Sequence, residues 1–240
     1  MPSQIERLEA LAGHMLDSYL TLCERSAMLQ PLLSDQGVVE CYGSGLRKRG
    51  FHALRTSLFM SCVQDIAKLV SDKDDKAPSL RNFVAALNSD VLVQQLRDRY
   101  AQRVAPLATE ESDPELLDAL KLLGAQEETE RRVEFDSHLR ELRDWWSKNE
   151  CSKTVQACRV IRDKVTAHTE IKYVLDRYVT VDIAALDLKW SDVKNFTLEL
   201  RTPVAAIGIL IRCAGFAWEM LDEQLHTAAK NFWRVDKSTA

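Results

Sequence analysis

Arg162 and His168 are the residue types in this chain best suited to chemistry without help, in the run Arg162-Asp163-Lys164-Val165-Thr166-Ala167-His168. A guanidinium neutralises non-bridging phosphate oxygens through its planar, two-pronged fork. An imidazole titrates near neutrality, so it can take a proton and return it at pH 7. Together they could act on a phosphodiester without a metal ion. Spacing alone does not single them out. Arg7 and His14, Arg47 and His52, and Arg131 or Arg132 and His138 have similar separations. Of these arginines only Arg162 is followed at once by a short polar residue of the Asp/Asn type, and of these histidines only His168 follows an alanine at an apolar-to-polar boundary.

Other chemistries find less support. His138 lies four residues after Glu134 and two after Asp136, but there is no HExxH pattern and no third ligand placed by spacing. No CxxC pair and no GxSxG nucleophile turn occur. Gly43-Ser44-Gly45 before Arg47, Lys48 and Arg49 lacks the spacing of a phosphate-binding loop and reads as a helix connector. We therefore expect no metal and no cofactor.

The chain has 240 residues, 46% hydrophobic and 28% charged, with a formal net charge of −4. That excludes a global basic footprint, so any nucleic-acid contact must be local. Two clusters qualify: Arg159, Arg162, Lys164, Lys172 and Arg177, and Arg47, Lys48, Arg49 and Arg55. The cysteines (Cys23, Cys41, Cys62, Cys151, Cys158 and Cys213) show no disulfide framework, and no signal peptide precedes the first helix; a reducing cytoplasm is expected. Cys151 and Cys158, seven apart, read as core packing on one helical face. Val204 to Trp218 is the most apolar stretch, but it is shorter than a membrane span and reads as a buried central helix.

Helical periodicity must position these residues. Ile5, Leu8, Leu11, Met15, Tyr19 and Leu22 predict a helix from 3 to about 30, closed by Pro31. Phe51, Leu54, Leu58, Cys62, Ile66 and Leu69 predict another. Ser71 to Ser79 reads as an exposed connector with Ser79 as the next N-cap. A helix over about 89–103 follows, then a loop, then a long charged helix from Glu115 to Asn149 with Phe135, Leu139, Leu142 and Trp146 as its apolar stripe. Trp145 and Trp146 read as core or interface anchors. Val155, Cys158, Ile161 and Val165 define the helix entering the Arg162 segment; Ile171 to Lys189 reads as a long loop. Ser191 caps a final helix that Pro203 kinks. The expectation is one all-α domain spanning 1–240, with about seven or eight helices and a helical insertion at about 71–126.

In an ideal continuous helix, Arg162 and His168 would be about 120° apart around the axis and ~9 Å apart along it. Convergence on one phosphate needs the helix to bend or end near His168, or a second subunit to contribute. Thr166 and the polar Thr169-Glu170 fit an irregular segment there.

The segment RDKVTAH, in the C-terminal half of an all-helical chain, resembles the motif of the HEPN superfamily: an arginine, a polar residue, a few more positions, then histidine. Arg55 to Asp65 with the polar loop after it, and Leu188 to Asp192, look like the AbiU-type HEPN proteins of abortive-infection systems. The resemblance implies a multi-helix bundle forming a homodimer whose interface cleft joins Arg162 and His168 of both copies into one ribonuclease site. It implies a toxin or defence nuclease acting on RNA, with Asp163 orienting the arginine or the imidazole and Lys164 and Arg159 contacting RNA. In some relatives a nucleotidyltransferase antitoxin modifies a tyrosine two places past the histidine; that position is Glu170 here, with Tyr173 the nearest tyrosine. The competing expectation is a non-catalytic helical module that binds a nucleotide or a partner protein.

Overall fold

The apolar spacing near the N-terminus builds α1 (Gln4–Ser34), whose inward stripe holds Leu8, Met15, Tyr19, Leu22, Leu29 and Leu32. Ser3 and Glu6 form a capping box at its start. The computed structural model describes residues 3–102, 114–166, 171–174, 177–180 and 182–234. Pro31 does not close α1 as expected: the helix runs one turn further, to Ser34. Loss of a single N–H so near the end costs little when Leu29 and Leu32 on either side are fully buried.

A short α2 (Gln36–Tyr42) follows, capped by Asp35. Next comes α3 (Lys48–Ser71), buried on several sides in its second half through Cys62, Val63, Ile66, Ala67, Leu69 and Val70. A helix apolar nearly all round belongs in the middle of a bundle, and α3 packs on α1 on one side and on α7 (Lys153–Ile161) on another. The partners Arg7–Asp75 and Arg25–Asp65 show α1 and the α3 region running antiparallel.

Ser79 caps α4 (Leu80–Ala86), as its sequence suggested, and Ser89 caps α5 (Asp90–Ala101). The long α6 (Pro114–Asn149) lies antiparallel to α5, tied by Arg97–Asp136 at 2.5 Å and Arg132–Asp98 at 3.3 Å. Phe135, Leu139 and Leu142 are its buried stripe. Trp145 packs against Phe196 with ring centroids 5.8 Å apart, so it serves the core rather than a free face.

Three expectations are corrected. The segment read as a loop contains a hairpin, β1 (Ile171–Val174) antiparallel to β2 (Arg177–Thr180), with Ile171 opposite Thr180. Four-residue runs rich in β-branched and aromatic residues suffice for pairing but are too short to show a period. The single final helix is instead three: α8 (Trp190–Glu199), α9 (Arg201–Arg212) and α10 (Trp218–Phe232). The N-cap of α8 is Lys189, not Ser191, and Asp192 bonds back to its backbone N–H. The chain breaks at Leu200, so Pro203 falls in the first turn of α9, where its missing donor is harmless. The apolar run from Val204 ends at Cys213, which adopts left-handed φ 49. Gly208 makes that reversal possible, since a Cβ there would sit 3.0 Å from the Ala214 carbonyl. Third, Cys151 is exposed in the turn before α7 while Cys158 is fully buried, so the two do not share a packing face.

The fold remains an all-α bundle, and among the described residues no helix is long and apolar enough to cross a membrane. Burial pushes the Cys62 and Cys158 thiols up to about 12 and the Cys23 thiol to about 11. An unfolded chain ionises its thiols near ~8.5. Between roughly that pH and 11 the unfolded state therefore sheds protons that the folded state keeps, and stability falls as pH rises. Under reducing conditions the urea midpoint should drop between about pH 8 and about pH 10; a midpoint that holds or rises would contradict this burial.

Candidate functional site

Ser152 starts α7 by accepting a hydrogen bond from the Val155 N–H at 3.3 Å. Val155, Ala157, Cys158 and Ile161 are buried, and the helix packs on α3. This fixes the phase of the helix and therefore the direction in which its last residues leave. At Arg162 the coil widens into a π-turn, Arg162–Thr166. The irregularity expected near His168 thus begins at Arg162 itself. Such i→i+5 turns are uncommon and recur at functional sites.

Arg162 is half-buried. Its Nε donates to Asp163 Oδ1 at 2.8 Å, and its Nη1 faces Asp72 Oδ2 at 3.6 Å. The first is a charge-assisted hydrogen bond; the second is an ion pair beyond hydrogen-bond length. Asp72 follows directly on α3, so the buried core helix carries one of the carboxylates that aim the guanidinium.

Lys164 is half-buried on the same turn. Arg159 lies one helical turn earlier, and its enclosed Nε has no hydrogen-bond partner among the described residues. His168 lies outside the described residues, as do Thr169 and Glu170. The structure therefore brings Arg162 and Asp163 together and leaves the Arg162–His168 distance undefined.

The three histidines with a similarly spaced arginine upstream occupy ordinary settings. His14 is exposed on α1. His52 Nδ1 is 3.1 Å from an Arg55 nitrogen. His138 sits between Glu134 at 3.8 Å and Glu141 at 3.7 Å on its own helix. Among the described residues no cluster of three or more His, Cys, Asp or Glu is arranged to hold a metal.

Asp72 was missed by sequence reasoning, which placed it in an exposed connector. No spacing signal links it to a residue 90 positions away; only the packing of α7 on α3 does. Asp72 also borders a 260 Å³ cleft between α1 and α3, lined by Thr21, Arg25, Asp65 and Lys68 among others. Arg25 and Asp65 pair directly across it.

In comparison with known families, the HEPN model described as AbiU2 matches residues 5–232. No curated protein matches the chain, and neither does any solved structure.

The Asp72–Arg162 contact joins two partly exposed groups, and such pairs contribute about 0–1 kcal/mol. Asp72→Asn should therefore lower the free energy of unfolding in urea by less than about 1 kcal/mol. A loss of about 3 kcal/mol or more would instead mark a desolvated pair whose removal strands a buried charge.

Proposed function

The chain belongs to the AbiU2 family of HEPN proteins, and from that membership we propose that it is a metal-independent endoribonuclease, an RNA-cleaving toxin or defence protein. Arg162 and His168 carry the reaction in a composite site at a homodimer interface. His168 takes the proton from a ribose 2′-hydroxyl; the freed oxygen attacks phosphorus, and the 5′-oxygen leaves with a proton donated by a second imidazole. The products are a 2′,3′-cyclic phosphate and a 5′-hydroxyl. Arg162 binds the phosphate oxygens as charge builds on them, the kind of preorganised contact that usually dominates such catalysis. Lys164 and Arg159 contact the RNA backbone.

The observation that carries this reading is the aimed guanidinium. Arg162 stands on a π-turn with carboxylates on two sides, and in sequence His168 follows two residues after that turn. Holding the fork in one orientation removes an entropy cost from phosphate binding. Dimerisation finds support in Leu122 and Leu123, exposed large apolar side chains on α6. The same two carboxylates also favour a second reading, because they offset the Arg162 charge in a chain whose net charge is already −4. On that reading the chain is a non-catalytic helical module that binds a nucleotide or a partner protein.

Two measurements test this. In a cleavage assay on total bacterial RNA, His168→Ala should remove ~10²–10⁴-fold of the rate with little change in RNA affinity. Arg162→Lys should remove ~10²–10³-fold, because an ammonium cannot reproduce the fork. His14→Ala, His52→Ala and His138→Ala should each cleave nearly normally, and EDTA should not slow the wild type. If His52→Ala abolishes cleavage while His168→Ala does not, the pair is wrong. Light scattering at micromolar concentration should separately report a dimer; a strict monomer rules out the composite site.

A further inference from the structure

One end of the bundle carries cations that nothing around them neutralises. No Asp or Glu occurs between Glu40 and Asp65, a stretch that holds Arg47, Lys48, Arg49 and Arg55. Arg47 turns to the Cys41 sulfur and lies 5.8 Å over the Tyr42 ring, and Arg55 is 3.1 Å from His52 Nδ1. Among the described residues Lys48 and Arg49 have neither an ion pair nor a side-chain hydrogen bond. The nearest acid in sequence, Glu40, accepts from Gln36 Nε2 at 2.8 Å. These cations do not serve the helix they begin. Arg47 stands at the N-cap of α3 without a capping bond, and the first turn holds no acidic residue. Lys48 and Arg49 there face the positive end of the helix dipole, which favours anions.

Leu46 completes the pattern. It sits in the single 3₁₀ turn Gly45–Arg47, entered through a left-handed φ of 58 at Gly45, and is fully exposed at 104%. Ser44 to Gly50 are all exposed, and a Cβ on Gly45 or Gly50 would meet nothing within 4 Å, so the turn stands clear of the bundle. Other apolar side chains are exposed nearby. Val39 and Leu54 lie on the flanking helices, and the Phe232 ring packs on Trp233, which in turn meets Tyr42.

An exposed leucine alone means little. One at the tip of a protruding turn, followed directly by three cations, has the composition of an interfacial anchor. The apolar group enters the boundary between headgroups and acyl chains while the cations meet lipid phosphates. An RNA backbone would use the same cations, but base stacking calls for a planar side chain at the tip rather than leucine. We propose that this end of the molecule docks on an anionic membrane surface, with Leu46 inserted and Arg47, Lys48 and Arg49 on the lipid phosphates. α3 begins at this surface and ends beside Asp72, and its 24 residues put the Arg162 turn about 36 Å away along the helix. The docking surface is therefore separate from that turn and stands whether or not the turn cleaves RNA.

Sedimentation of the full chain with vesicles tests this, using equimolar phosphatidylcholine and phosphatidylglycerol against phosphatidylcholine alone. The chain should pellet with the mixed vesicles and not with the neutral ones, and added salt should release it. Each cation at an anionic surface contributes roughly fivefold, so Arg47→Gln, Lys48→Gln and Arg49→Gln together should weaken binding at least about thirtyfold. Leu46→Ser should weaken it several-fold, and Leu46→Trp should strengthen it, because tryptophan favours the interface. All four positions are exposed, so the variants should keep the fold, which circular dichroism checks. Lys121→Gln, exposed on α6, and Arg162→Ala should bind vesicles like the wild type. A duplex RNA is titrated in parallel. The proposal is overturned if neutral vesicles bind as well as mixed ones, if neither binds, or if the cation and Leu46 variants bind like the wild type. It is overturned as well if the triple variant loses RNA binding while Leu46→Ser leaves vesicle binding unchanged, which assigns the cations to an RNA backbone.

Discussion

Burial of the second half of α3 against α1 and α7 is the constraint on which the rest of the molecule depends. Cys62, Val63, Ile66, Ala67, Leu69 and Val70 leave that helix almost no solvent-facing side. Its orientation is then set by packing with α1 on one flank and α7 on the other. Everything proposed for Arg162 follows from that placement, since Asp72 directly continues α3 and Arg162 directly continues α7. Two polar residues far apart in sequence meet because two apolar stripes do.

The helices were legible where the apolar period was long. Leu8 to Leu22 in α1, Cys62 to Leu69 in α3 and Phe135 to Leu142 in α6 each span enough turns for a 3.6-residue repeat to declare itself. The cap Ser79 was equally plain; Ser89, which the spacing did not single out, caps α5 by the same chemistry. Failures occurred where local rules compete. The run from Trp190 to Phe232 is apolar enough to suggest continuity, yet it breaks at Leu200 and again at Cys213 because the chain must turn back on itself. The hairpin was missed because four residues per strand are too few to separate a two-residue period from a mixed loop.

At the candidate site, the pairing of Arg162 with Asp163 could be anticipated because the two are adjacent. Asp72 could not, since its link to Arg162 exists only in tertiary packing.

The π-turn at Arg162–Thr166 makes this segment sensitive to length more than to composition. A π-turn accommodates one residue beyond the α-helical count, so it works as an inserted phase step between the buried face of α7 and whatever follows. Deleting one residue from it would barely alter hydropathy or charge. It would return the backbone to α phase and swing the following residues by about 100° around the axis. For this part of the chain, the count of residues sets direction more than their types do.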